Sequence, residues 1–183
     1  MRKVPVQLRR LKVLKIIGII GLITASGLAG IMKAYRLKRR IYLLEDYMKM
    51  IMDLKSRINY MKEPLPDIFR RVKKTDDSKA IYLLSDISSQ ISRKRLGIAE
   101  IWPQSVKQVY RDEPLSHDDL EIFKYPGRFL GQTDYENHLD SFAYLEEKLH
   151  MQMLQAAEEY RKKGPMYSKL GFFIGAAGAI LLM

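Results

Sequence analysis

The chain has no cysteine, which excludes disulfides, thiolate metal sites and a cysteine nucleophile. Its three histidines, His117, His138 and His150, form no H-E-x-x-H and lack metal-ligand spacing. They read as surface or helix-face residues. No phosphate loop, G-x-S-x-G or dinucleotide fingerprint occurs. No run shows strand alternation, and no hairpin dipeptide is present. Asp118/Asp119 and Asp134/Glu136 come nearest to paired catalytic carboxylates. Each pair falls in the first turn of an expected helix, where carboxylates favour the dipole and cap free N–H groups. The expectation is a protein without catalysis, metal or cofactor.

What the chain does have is apolar sequence near both ends. Ile16–Met32 (IIGIIGLITASGLAGIM) is seventeen residues without a charge, bounded by Lys15 and Lys33. At about 1.5 Å per residue it reaches roughly 25 Å, and flanking lysines can snorkel to complete a span of ~30 Å. Leu170–Met183 (LGFFIGAAGAILLM) is also uncharged. The reading is a basic extension at 1–15, a transmembrane helix at 16–32, a polar domain at 33–169 and a second transmembrane helix at 170–183. The first segment also fits a cleaved secretory signal, with its basic n-region and Ala25, Ser26, Gly27 and Ala29. Its length, the second apolar segment and the basic block that follows favour a span.

The formal charge of +11 suits a nucleic-acid binder, but its distribution does not. Fifteen of the 32 Lys/Arg lie in 1–15, 33–40 and 161–169, next to the apolar segments. The remaining 17 share 41–160 with all 21 acidic residues, so the body carries −4. Such collars are attracted to anionic lipid surfaces, and membrane lipids rather than nucleic acid are the expected contact. Four basic residues precede the C-terminal segment and none follows, which places the domain in the cytoplasm by the positive-inside rule. The N-terminal segment is balanced, with six basic residues before it and five after. Translation from Val13 instead of Met1 would remove that conflict.

The body reads as all-α: five or six antiparallel helices in a bundle flanked by the two transmembrane helices. Leu37, Ile41, Leu44, Met48, Ile51, Ile58 and Met61 form an apolar stripe on a long helix that ends before Pro64 and Pro66. A short helix follows at about Leu65–Lys74, with Arg70, Arg71, Lys73 and Lys74 outward. The loop Thr75–Ser78 offers an N-cap to a helix over about Lys79–Leu96. Ile98, Ile101, Trp102, Val106 and Val109 mark another apolar face around Pro103, with Trp102 in the core. Ser116 caps the next helix, stapled by Leu115 and Leu120 and kinked or interrupted at Pro126-Gly127. Thr133 and Glu136 form a capping box for a helix over about Asp134–Lys163, with Leu139, Phe142, Leu149, Met153, Ala156 and Tyr160 on one face. Gly164-Pro165 reads as a stop or hinge.

Association is the chemistry that remains. Gly21, Ala25 and Ala29 repeat at four-residue spacing in the first membrane segment, and Gly171, Gly175 and Ala179 in the second. Small-residue stripes let helices approach closely in lipid, which favours pairing between the two segments or with another membrane protein.

Phe129-Leu-Gly-Gln-Thr-Asp134, then a long polar helix, then Tyr167-Ser-Lys-Leu-Gly-Phe172 leading into a terminal apolar run, resembles the stage III sporulation protein AB family. VLKIIG from Val13, Ile58-Asn-Tyr60, Pro64-Leu-Pro66 and Trp102 fall in the corresponding order. The resemblance implies a helical cytoplasmic domain similar to those of type II secretion and type IV pilus platform proteins. It implies a mother-cell membrane facing the forespore during engulfment, other membrane subunits of a channel, and a secretion-type ATPase of the same operon as partner. The chain departs from the family in its basic extension at 1–12 and in His138, where the family usually has glutamine. Leu130, Gly131, Thr133 and Asp134 read either as a structural corner, with Gly131 left-handed, or as a partner-binding loop. Two functions follow. The preferred one is a non-enzymatic membrane platform or adaptor coupling the ATPase to the channel. The alternative is a stand-alone membrane-anchored regulator or receptor with a lipid-sensing basic collar.

Overall fold

The computed structural model describes residues 6–59, 61, 64–71, 78–94, 97–131 and 136–182. Among them every element is an α-helix: α1 (Val6–Asn59), α2 (Leu65–Arg71), α3 (Lys79–Lys94), α4 (Ile98–Val109), α5 (His117–Lys124), α6 (Pro126–Leu130) and α7 (Glu136–Leu182). The chain divides into a unit of Met1–Lys38 with Glu158–Met183 and a unit of Arg39–Ala157. Among the described residues one helix, over Gly18–Ile58, is long and apolar enough to cross a membrane.

The unit Arg39–Ala157 is built on α1. Leu43, Leu44, Tyr47, Ile51 and Leu54 are fully buried, spaced by three and four so that one face of the helix meets the core. The stripe expected from the sequence lies slightly around the helix from this face. Ile41 and Met48 are only half-buried, and Met61 is 67% exposed. Tyr47, which the expected stripe does not include, is one of the core positions. Its oxygen donates to the Phe123 carbonyl at 2.6 Å, and its ring stacks on Phe123 at 3.8 Å. Trp102 is fully buried, as expected, and its indole N–H donates to the same carbonyl at 2.8 Å. That carbonyl is free to accept both because α5 stops at Lys124 and Pro126 opens α6, so the helical ladder is interrupted there. Burial pushes the Tyr47 hydroxyl well above its ordinary pKa, with Tyr110 close by adding to the shift, so it remains a donor.

Helix ends in this unit follow local chemistry. Ser116 accepts from the Asp119 N–H while the Asp119 carboxylate accepts from the Ser116 N–H, a reciprocal capping box. Ser78 caps α3 by accepting from Ile81 N–H. Asp46 of α1 reinforces that cap, accepting from the Ser78 hydroxyl at 2.8 Å and the Ala80 N–H at 2.9 Å. Gly127 lets α6 lie against α4: a Cβ there would stand 2.9 Å from Trp102 Cβ and 3.2 Å from Pro103 Cδ. On α7, Phe142, Leu145 and Leu149 are buried, whereas Leu139, expected inward, is 49% exposed.

Two expectations need correction. The stop at Gly164-Pro165 is not made, because α7 runs through Pro165 as one helix. Proline there removes one rung of a 47-residue ladder, and the turns on either side continue. His138, read as a surface or helix-face residue, is 2% exposed. The capping box at Thr133 lies outside the described residues, as do the Val72–Lys74 end of the expected second helix and the loop that opens at Thr75.

Candidate functional site

The most concentrated polar chemistry lies where α1 meets the start of α5. Arg40 is 7% exposed, and its guanidinium grips Asp119 with two bonds, Nε to Oδ2 at 2.7 Å and Nη2 to Oδ1 at 3.0 Å. The same Nη2 donates to Gln152 Oε1 of α7 at 3.0 Å and lies 3.4 Å from the Ser116 hydroxyl. Planar, doubly bonded pairing of this kind offsets the cost of burying both charges. Beside it, Arg39 makes two bonds to Glu113, at 3.1 and 3.2 Å, and Lys79 reaches Glu113 at 3.2 Å. Burial raises the Glu113 carboxyl, but the Arg39 and Lys79 bonds together outweigh it and hold the group below the ordinary carboxylate range.

This cluster revises the sequence reading of two groups. Asp119 does occupy a first turn, but its main partner is a buried cation 79 residues away. Arg39 and Arg40, counted in the lipid-facing collar at 33–40, are committed to carboxylates instead. The signal was present: Arg40, Leu44, Tyr47 and Ile51 share one face at spacings of four and three. A charge in a buried register requires a buried counter-charge. Among the described residues no group of three or more His, Asp or Glu is placed to hold a metal.

The corner after α6 is built from packing. Leu130 is 2% exposed and part of the core. Gly131 ends α6 at φ −86°, ψ −4°, a right-handed conformation, so the expected left-handed turn is not made there. A Cβ on Gly131 would meet Ala99 at 3.4–3.5 Å, ordinary contact that leaves room for alanine. Thr133 and Asp134 lie outside the described residues. The residue that ties this corner is His138, whose Nε2 lies 3.0 Å from the Phe129 carbonyl. A carbonyl only accepts, so Nε2 carries the proton. The bond satisfies a carbonyl at the end of α6 from the first turn of α7. Composition and spacing gave no hint of it, since the contact depends on how α6 and α7 meet.

In the unit of Met1–Lys38 and Glu158–Met183, α1 and α7 approach backbone to backbone. A Cβ on Gly171 would lie 3.2 Å from Gly30 Cα and against the Ser26 carbonyl; one on Gly175 would lie 2.8 Å from Ile23 Cα. On α7 the residues in contact are Gly171 and Gly175 from the sequence stripe; the Ala179 side chain lies outside the described part. On α1 the contact is made by Ile23, Ser26 and the buried Gly30, while Gly21, Ala25 and Ala29 are exposed. Ser26 directs its hydroxyl to the Ile23 carbonyl at 3.1 Å, so a polar residue serves at a small-residue position. Lys33 lies over the Tyr167 ring, 5.4 Å from its centre.

These features define an all-helical protein with an apolar N-terminal helix long enough to cross a membrane. The sequence model of stage III sporulation protein AB matches residues 15–183, nearly the whole chain, and the protein belongs to that sporulation family. No curated relative and no solved structure matches it significantly.

Proposed function

We propose that this protein is a non-enzymatic platform subunit of a sporulation channel between mother cell and forespore. In this reading α1 and the end of α7 both cross the mother-cell membrane, and the unit Arg39–Ala157 stands in the cytoplasm. There it couples a secretion-type ATPase, encoded beside it, to membrane subunits of the channel. The observation that carries the reading is that one helix, α1, supplies both the apolar segment and the central core face of the helical unit. A domain organised on its own anchor is suited to holding a partner at the membrane. The bonds of Arg39 and Arg40 to Glu113 and Asp119 favour this over a lipid-sensing collar, because they withdraw two cations from lipid. Affinity purification of the full chain from sporulating cells in mild detergent tests it. Co-purification of the ATPase and further membrane subunits is expected; recovery of the chain alone would refute the platform reading.

A further inference from the structure

Between α5–α6 and α7 the helical unit has a cleft of about 180 Å³. Ile122 and Leu145 form part of its apolar lining, together with the rings of Tyr125 and Tyr144, whose centres are 5.3 Å apart. Arg128 and Lys148 line it as well, with the Lys148 ammonium over the Tyr144 ring, 5.4 Å from its centre. The carboxylate in the lining, Glu121, is bonded to Lys124 at 2.6 Å and also feels the Arg128 charge, without forming an ion pair with it. Among the described residues Arg128 and Lys148 are in no ion pair, unlike Arg39, Arg40, Lys55 and Lys79. Tyr144 is 49% exposed, a large ring left half in water beside two cations.

The volume decides what class of ligand fits. Small-molecule sites occupy roughly 300–1,000 Å³, so this cleft takes one or two side chains and not a nucleotide or cofactor. Two cations ask for a carboxylate, and the apolar lining asks for an aliphatic or aromatic neighbour. Tyrosine and arginine are the residue types that most often dominate such interfaces. A phosphate headgroup would engage the cations but leave Ile122, Leu145 and the ring faces idle. An acidic residue beside an apolar one uses all of them. On a body with net charge −4, a cationic cleft also sets where an acidic segment can dock without repulsion.

We infer that this cleft is the docking site for an acidic, apolar-anchored segment of the partner protein. The inference rests on the platform reading for the partner's identity, not for the chemistry of the cleft. Two measurements on the full chain test it. The first is the affinity of the nanodisc-embedded protein for the purified ATPase, for wild type, Arg128→Glu/Lys148→Glu and Tyr144→Ala, with Lys107→Glu on α4 as an exposed control. The double variant should bind about 30-fold more weakly or worse, a factor two charge-assisted contacts can carry. Tyr144→Ala should also bind more weakly, and the control should match wild type. Wild-type affinity in the double variant would overturn the inference. The second replaces Tyr144 with a photo-crosslinking phenylalanine in sporulating cells and maps the adduct by mass spectrometry. An acidic segment with an apolar anchor, on the ATPase or on another channel subunit, supports the cleft even if the ATPase itself does not bind. Adducts to lipid alone, or none, overturn it.

Discussion

Removing the Asp119 carboxylate with Asp119→Ala tests how the helical unit is held together. Three interactions go at once: both bonds to Arg40 and the cap on the Ser116 N–H. Losing an N-terminal cap costs about 1 kcal/mol. The larger loss comes from Arg40, which is 7% exposed and loses both of its bonds to the Asp119 carboxylate. Breaking a buried pair from one side costs about 3–5 kcal/mol. The Lys55–Glu146 pair has side chains 24% and 28% exposed, so Glu146→Ala should cost about 1 kcal/mol or less. Trp102 is the only tryptophan and is fully buried, so its fluorescence follows unfolding of this unit in the detergent-solubilised full chain. Asp119→Ala should lower the midpoint by roughly 10–20 °C, and Glu146→Ala by only a few degrees. The double change Arg40→Met/Asp119→Leu should recover much of the loss, since an apolar pair carries no desolvation cost. Equal small shifts for Asp119→Ala and Glu146→Ala would refute the reasoning.

Other outcomes follow from the same contacts. Gly127→Val should destabilise the unit by about 1–3 kcal/mol or more through overpacking on Trp102 and Pro103, while Gly131→Ala should stay near wild type by the same fluorescence assay. His138→Gln should keep a donor to the Phe129 carbonyl and fold normally, whereas His138→Ala should cost about 1 kcal/mol or more by removing that bond and leaving the Gly131 N–H as the donor to the carbonyl. The depressed Glu113 carboxyl gives stability that is fully present above its unfolded value, near 4.3, and lost as pH falls through the lower folded value. Acid titration of wild type against Glu113→Gln should therefore show the difference in stability shrinking below about pH 4.3. A constant difference would contradict the assignment.

Features set by neighbouring residues were legible in the sequence. The Ser116 cap, the end of α1 before Pro64 and the break at Pro126 each depend on side chains within a few positions. The burial of Trp102 followed from an apolar face, and the family from motifs spread along the chain. What pattern alone missed were pairings between residues distant in sequence. Tyr47 lies outside the expected stripe and Arg40 falls in the basic collar, and both are explained only when the Phe123 carbonyl and the Asp119 carboxylate are brought to them. His138 looks like a surface residue until α6 ends beside it. In the apolar segments, glycine and alanine spacing drew attention to Gly21, Ala25 and Ala29. The close contact instead uses Ser26 and Gly30, because a serine that bonds its own helix is small enough to pack.

The proposal that the helical unit is held on the cytoplasmic side of a membrane by its own ends is most directly tested by single-cysteine labelling. The chain has no cysteine of its own, so Gln104→Cys, at an exposed position on α4, is a unique reporter. In intact sporulating cells a membrane-impermeant maleimide should leave it unlabelled, permeabilisation should expose it, and carbonate should not release the chain from membranes. Labelling in intact cells, or release by carbonate, would contradict the account.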